Sequence, residues 1–228
     1  MTAIGDPVIR VDGHAKVTGA AKYSAEFDIP NLSHAVLVTS TIPNGRITSM
    51  MTVKAQNSPG VLLVMTPANA LKLPQGGKAG VHPPAGRVLS LLQDNTVLYN
   101  NQPIGVVVAE TLDQALYAAS LIEVKYQQEP PKLSFEAGMP DARPGSHGKD
   151  PADVSEGQLN QELAAAEVRI DQIYTTPIQN HNPMEPHAAI AQWDGDKLTL
   201  HDATQYITGV KQTIAKTLGI PEEDVRVI

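Results

Sequence analysis

Four polar side chains that can bind or orient a ligand lie within one nine-residue stretch: Gln179, His181, Glu185 and His187. Pro183 and Pro186 interrupt this stretch. Proline lacks a backbone N–H and its ring blocks the preceding helical turn, so two prolines three residues apart exclude a helix and disfavour a central strand. The stretch is therefore predicted to form an irregular turn that presents these polar groups.

A metal site is the first chemistry to consider, because two histidines and a glutamate are typical of zinc and non-haem iron sites. Pro183 interrupts the helix on which His181 and Glu185 would share a face. Glu185 and His187 are two residues apart, a spacing that suits only a strand. The spacing therefore disfavours direct ligation, and the competing interpretation is a polar turn whose groups satisfy one another and the backbone.

The elements around the turn are predicted from alternation and turn residues. Residues 168–174 alternate as a strand that leads to Gln179. Beyond the turn, residues 188–193 and 197–201 are predicted strands, and Asp194-Gly195 between them is a hairpin signal.

Two further polar residues, Thr204 and Gln205, follow the second of these strands. The end of a strand is a common place for groups that face a ligand. A helix is predicted next, because apolar residues recur at helical spacing before Gly219: Ile207, Val210, Ile214 and Leu218.

The first half of the chain contains patterns of a packed domain. The continuous apolar run 61–66 predicts a strand buried on both faces. Thr111 and Gln114 form a capping-box pattern that predicts the start of a helix. That helix and its flanking strands, 104–110 and 123–126, are predicted as a strand–helix–strand unit around one mixed sheet. The predicted fold class is α+β (mixed α/β).

Composition sets the domain organisation and excludes several function classes. The formal net charge of -7 and the absence of a basic run argue against nucleic acid and membrane as partners. The chain has no cysteine, which excludes iron–sulfur ligation and thiolate catalysis by its own residues. Prolines and glycines concentrate around 131–160, which is predicted to be a linker. We expect an extended arm over 1–23, a domain over 24–130 and an incomplete second domain over 161–228.

Three stretches resemble the large subunits of the xanthine dehydrogenase and aldehyde oxidase family, and are most similar to the bacterial aldehyde oxidoreductase type. Residues 5–23 resemble the opening of those subunits, and residues 98–111 resemble the middle of their α/β hammerhead domain. Residues 174–187, followed by Asp202-Ala-Thr-Gln205, resemble the start of their molybdopterin-binding region. The resemblance implies a hammerhead domain followed by the truncated beginning of a molybdopterin-binding domain.

The resemblance also implies an activity, which is the oxidation of aldehydes or N-heterocycles with water as the oxygen source. The implied cofactor is molybdopterin, as a dinucleotide, shared with polypeptide beyond these residues. Electrons would pass to an Fe–S small subunit and an FAD subunit, and this chain would hold neither group. Gln179 corresponds to the family glutamine that hydrogen-bonds an oxo group on molybdenum. Gln179, Thr204 and Gln205 are the implied cofactor contacts, and no side chain of this protein is an implied metal ligand.

Two parts of the family's site are not found in these residues, namely a glycine-rich pterin loop and a catalytic glutamate, both of which follow a segment like 225–228. We therefore expect the chain to be the front third of a large subunit, whether a fragment, one half of a split subunit or a truncated product, and to be inactive alone. A cytoplasmic location is expected, with export to the periplasm alongside a partner as the other outcome.

Two alternatives remain open. The first is a non-catalytic scaffold that docks partner subunits, in which case residues 1–126 should bind a partner without the rest. The second is a metal-dependent hydrolase that uses His181, Glu185 and His187, in which case stoichiometric zinc or iron should be found without molybdenum.

Overall fold

The computed structural model describes residues 5, 7–74, 91–143, 145–147, 150–151, 154 and 156–228. Contacts divide the chain into two compact units. The first unit comprises Met1–Pro131 together with Glu185–Ile228, and the second comprises Lys132–Met184. The domain boundaries that the sequence predicts, at 23, 130 and 160, stay predictions.

The described residues of the first unit form three short sheets and four helices. Its helices and strands are, in chain order, α1 (Gly13–Val17), β1 (His34–Thr39), β2 (Gly45–Met51), α2 (Val53–Gln56), β3 (Val61–Met65), β4 (Thr96–Val97), β5 (Pro103–Ala109), α3 (Leu112–Ser120) and β6 (Glu123–Gln128), and then, after the second unit, β9 (Ala189–Asp194), β10 (Lys197–Asp202), α6 (Ile207–Leu218) and β11 (Val225–Val227). Single 3₁₀ turns also form at Ser24–Glu26 and Glu222–Asp224.

The strand order confirms the α+β class and corrects one prediction. The sheets are β1-β5-β3, β4-β2-β6 and β11-β10-β9. All pairs in the first two sheets are antiparallel. The prediction that α3 joins two strands of one sheet is wrong, because β5 already has β1 and β3 on its two edges. With no free edge beside β5, β6 pairs with β2 in the other sheet.

The prediction that the run 61–66 is buried on both faces is also wrong. β3 is an edge strand whose one neighbour is β5. Val64 is buried, but Leu62 and Leu63 remain 57% and 42% exposed. A continuous apolar run is typical of a central strand, but an edge strand has a neighbour on one side only and leaves part of such a run uncovered.

Helix α3 covers one face of the β1-β5-β3 sheet. Its predicted capping box is confirmed: the Thr111 hydroxyl accepts a hydrogen bond from the Gln114 amide, and the Gln114 side chain accepts one from the Thr111 amide. Such a cap stabilises a helix by about 1 kcal/mol. Ala115 and Ala118 are fully buried beneath the helix, and their small side chains let it lie close to the sheet. The core around them is aliphatic: Val38, Val64, Val97, Ile104 and Val107.

The β9–β10 hairpin is confirmed. Asp194 pairs with Lys197, so the loop is Gly195-Asp196, and Gly195 has a φ of 58°. A positive φ at the first central residue is what a tight two-residue hairpin turn requires of its glycine. β11 adds to β10 in parallel, and α6 packs against β11. The predicted end of α6 is confirmed too, because Gly219 adopts the left-handed conformation one residue beyond Leu218.

The second unit contains little regular structure in its described residues. Its elements are α4 (Phe135–Gly138), a 3₁₀ turn (Met139–Asp141), the paired strands β7 (Ser146–His147) and β8 (Asp150–Pro151), and α5 (Leu159–Ala165). Residues 166–184 form neither helix nor strand, so the strand predicted over 168–174 is not formed. No described helix in either unit is long and apolar enough to cross a membrane.

Candidate functional site

Gln179 lies in the irregular segment of the second unit. Its side chain is exposed, and its Nε2 donates a hydrogen bond to the Pro177 carbonyl over 3.3 Å. This bond stays within the local turn, so the Gln179 side chain keeps an acceptor oxygen and a second amide hydrogen for another molecule. The irregular backbone that the prolines predicted is confirmed here.

Thr204 and Gln205 lie in the first unit, in the turn between β10 and α6. The Thr204 amide donates to the Asp202 carbonyl over 3.0 Å, and the Thr204 Oγ1 accepts from the Tyr206 amide over 3.1 Å. Both bonds are local and hold a tight turn at the end of the strand. Thr204 is half-buried and Gln205 is exposed, and no hydrogen bond ties the Gln205 side chain to the residues that the structure describes. The turn therefore presents a hydroxyl and a neutral amide side by side.

Glu185 makes a contact that the sequence did not predict. Its Oε1 accepts a hydrogen bond from the Ser24 amide over 3.0 Å, across 161 residues of sequence. The Ser24 hydroxyl donates to the Ala188 carbonyl over 2.8 Å. Ser24 is only 5% exposed and begins the 3₁₀ turn Ser24–Glu26. In a sequence, a serine and a glutamate next to a turn indicate a local helix cap. Sequence reasoning therefore did not predict this distant partner.

The ring of His201 packs on that of Phe27, the residue that follows the 3₁₀ turn. Their ring centroids are 4.3 Å apart with an interplanar angle of 34°. The His201 Nδ1 atom is buried and has no hydrogen-bond partner among the described residues. The aromatic contact thus fixes an imidazole at the carboxyl end of β10, three residues before Thr204.

Asp202 is the one described residue near this turn with a shifted pKa. Partial burial of the Asp202 carboxyl raises its pKa, because desolvation disfavours the charged form. A hydrogen bond from the Ala203 amide opposes this change, and the negative charge of Glu185 raises the Asp202 pKa further. The Glu185 carboxylate is itself bound to the Ser24 amide.

The three side chains of the metal-site alternative do not form a ligand set. No group of three histidine, aspartate or glutamate side chains that could hold a metal ion occurs in the part of the chain that the structure describes. His181 and His187 are exposed, and Glu185 is bonded to Ser24. The geometry gives no support to a hydrolase built on these residues.

Three cavities of the first unit are lined by described residues, and neither Thr204 nor Gln205 lines any of them. The most apolar has a volume of about 330 Å³ and is lined by Met65, Leu71, Leu73, Leu91 and Val106 among others. None of its lining residues is a predicted cofactor contact. Within the first unit, Thr204 and Gln205 are therefore groups in a surface turn and do not line one of these cavities.

Two family models match the chain. Residues 18–130 match the a/b hammerhead domain of aldehyde oxidase and xanthine dehydrogenase, and residues 142–228 match the molybdopterin cofactor-binding domain. The matched regions follow one another in the order that the sequence resemblance implied.

Individual relatives agree with these models. The aldehyde oxidoreductase molybdenum-binding subunit PaoC of Escherichia coli K12 is 38% identical over 100% of this chain and 30% of its own length. The xanthine dehydrogenase molybdenum-binding subunit of Escherichia coli O157:H7 is 29% identical over 96% of this chain and 30% of its own length. The chain thus spans about 30% of the length of these relatives.

Solved structures show the same architecture. Quinoline 2-oxidoreductase from Pseudomonas putida 86 superposes with a TM-score of 0.80 at 26% identity, over 99% of this chain and 30% of that one. Aldehyde oxidoreductase from Desulfovibrio gigas gives a TM-score of 0.77 at 21% identity, over 96% of this chain and 26% of that one, a likeness that concerns the fold alone.

Proposed function

Because this chain belongs to the aldehyde oxidase and xanthine dehydrogenase family, we propose that it is a portion of the catalytic, molybdopterin-binding subunit of a molybdenum hydroxylase. The reaction is the oxidation of aldehydes or N-heterocycles, with water as the oxygen source. The observation that carries this proposal is the match over the whole of this chain, at 38% identity, to an aldehyde oxidoreductase molybdenum-binding subunit.

The residues present fit a cofactor that brings its own metal ligands. Gln179, Thr204 and Gln205 offer neutral amide and hydroxyl groups, which donate and accept hydrogen bonds but bind transition metals weakly. Their side chains are exposed or half-buried in turns, where another molecule can reach them. When bound, molybdopterin supplies the redox-active metal through its dithiolene sulfurs, so the protein's task is to hold and orient the cofactor.

Each residue has a separate part in that task. Gln179 would donate an amide hydrogen bond at the metal end of the cofactor and so orient it, and a neutral donor would do so without adding charge at the site. Thr204 and Gln205 contact the cofactor from the end of β10. The dinucleotide form of the pterin belongs to this proposal, as do the Fe–S and FAD subunits that receive the electrons. A cytoplasmic location, or export with a partner, stays a prediction.

A complete subunit carrying this chain tests the role of Gln179. We expect Gln179→Ala to lower kcat by about 10- to 100-fold while molybdenum and pterin content per subunit stay near normal, since the residue orients the cofactor without ligating its metal. Gln172→Ala is the matched control, because Gln172 is an exposed amide in the same irregular segment. Turnover with an aldehyde and with an N-heterocycle should be measured for both variants.

Two results would contradict the proposal at different levels. Unchanged turnover in Gln179→Ala would remove this residue from the site. A complete subunit that binds no molybdopterin, and oxidises neither substrate class, would remove the activity itself. The scaffold alternative predicts that second result together with retained binding of partner subunits.

A further inference from the structure

We propose that residues Ser24–Phe27 act as a latch on the β9–β10 hairpin, and that this latch positions the turn carrying Thr204 and Gln205. The reason why the position of this turn matters rests on the proposed function. The contacts themselves, and the experiment below, involve no cofactor.

The first contact of the latch is a charged hydrogen bond. The Ser24 amide donates to the Glu185 carboxylate over 3.0 Å in a part-buried site. A bond to an ionised acceptor is roughly twice as strong as a neutral one. Its partners are 161 residues apart, so the bond brings the amino-terminal segment against the residues that lead into β9.

The second contact uses the other polar group of the same residue. The Ser24 hydroxyl donates to the Ala188 carbonyl over 2.8 Å, and Ala188 directly precedes β9. Ser24 therefore binds Glu185 and Ala188 at the same time. The two bonds fix the position and the direction in which residues 185–188 lead into β9. A buried serine with two long-range bonds has little freedom to shift.

The third contact is made with the other strand, at the same open end of the hairpin, where His201 pairs with Ile190. Phe27 packs on His201, whose ring lies beside the end of β10. The next residue, Asp202, donates its amide to the Ile228 carbonyl and accepts the Thr204 amide at its own carbonyl. His201 is thus joined through Asp202 to the turn that presents Thr204.

The latch segment has few other restraints in the described chain. Its one regular element is the three-residue 3₁₀ turn Ser24–Glu26, and residues 27–33 form neither helix nor strand before β1. The 3₁₀ turn packs against β9 and β10. A segment with so little structure of its own takes its position from the partners that it contacts. Here those partners lie at the open end of the hairpin, from which the turn with Thr204 and Gln205 continues.

Hydrogen exchange of a complete subunit carrying this chain tests the latch. We expect Glu185→Ala to speed exchange about tenfold or more at the Ser24 amide, since an ionised acceptor is lost. The same variant should speed exchange in residues 202–206, while residues 104–109 of β5 stay protected. Glu185→Gln keeps an acceptor oxygen and should lie between the parent chain and Glu185→Ala. Asp28→Asn, a change next to Phe27 that touches neither Ser24 nor the hairpin bonds, should leave all three regions unchanged.

Phe27→Leu is a second, independent variant that leaves both Ser24 hydrogen bonds in place. It removes the ring contact with His201 and should again speed exchange in residues 202–206. Faster exchange at Ser24 with unchanged rates in 202–206 would overturn the positioning role. A similar rise of the exchange rate in β5 would mean that the contacts only stabilise the fold as a whole. That result would also overturn the positioning role. Because molybdenum plays no part in the measurement, either failure leaves the proposed function to be judged separately.

Discussion

Two stretches of this protein are predicted to be strands from their sequence, but only one of them becomes a strand. Residues 189–194 form β9, in which Ile190 is 6% exposed. Residues 168–174 form no strand, and Ile170 and Ile173 are 77% and 90% exposed. Composition does not separate the two stretches, since each mixes apolar and polar side chains.

The difference between them lies in the availability of a partner strand. β9 has β10 two residues further along the chain, and closing so short a loop costs little entropy. Residues 168–174 have no strand beside them among the described residues. Alternation predicts which face of a segment would be buried, but a strand forms only where another edge satisfies its backbone groups.

The largest effect expected from this comparison comes from matched truncations of apolar side chains. Leu198→Ala in β10 should lower the free energy of unfolding by about 2–5 kcal/mol, because Leu198 is buried and its loss leaves a cavity. Ile173→Ala should change it by less than about 0.5 kcal/mol, since that side chain already lies in solvent. Urea unfolding of both variants measures the contrast. Equal losses would mean that the segment 168–174 is packed in solution.

A smaller effect is expected at the turn that gives β9 its partner. Gly195→Ala should cost about 1–2 kcal/mol, because a side chain at a φ of 58° meets the backbone. Gly138→Ala is the control: Gly138 has a negative φ of -85°, and a Cβ added there would enter open space. Thermal unfolding should show a lowered midpoint only for Gly195→Ala. If Gly195→Ala leaves the unfolding midpoint unchanged, the stability of the hairpin does not depend on its turn.

The smallest effect concerns pH and the Asp202 carboxyl. Its raised pKa means that folding favours the protonated form, so ionised Asp202 costs stability above that pKa, and the cost disappears as the pH falls towards the ordinary value of 3.8. Asp202→Asn should therefore raise the urea midpoint near neutral pH, with a gain that shrinks as the pH is lowered. Asp196→Asn, in the exposed hairpin loop, should give no such pH-dependent gain. A gain that is constant with pH would exclude the charge of Asp202 as its source.

Local features of the fold were predictable from the sequence. The Thr111 and Gln114 cap, the hairpin at Gly195 and the end of α6 at Gly219 each depend on residues within four positions of one another. The family resemblance was likewise carried by short, ordered motifs. Such features need no knowledge of distant parts of the chain.

Long-range features were not predictable in the same way. Hydrophobic patterns do not encode which strand pairs with which, so the sheet membership of β6 and the edge position of β3 were missed. The bond between Ser24 and Glu185 was missed for the same reason, because each residue has a plausible local role. Gln179 was predicted in an irregular stretch, and Thr204 and Gln205 after a strand end, and the described backbone agrees with both placements. The roles of the three residues stay predictions.

The order of strands in the first unit has a practical consequence for dissecting the protein. Sheet β1-β5-β3 uses residues 34–109, sheet β4-β2-β6 uses residues 45–128, and each sheet takes strands from between those of the other. Any backbone cut between β1 and β6 therefore separates neighbours in at least one sheet. Fragment complementation or circular permutation should be attempted with new ends outside residues 34–128, where an opening leaves both sheets whole.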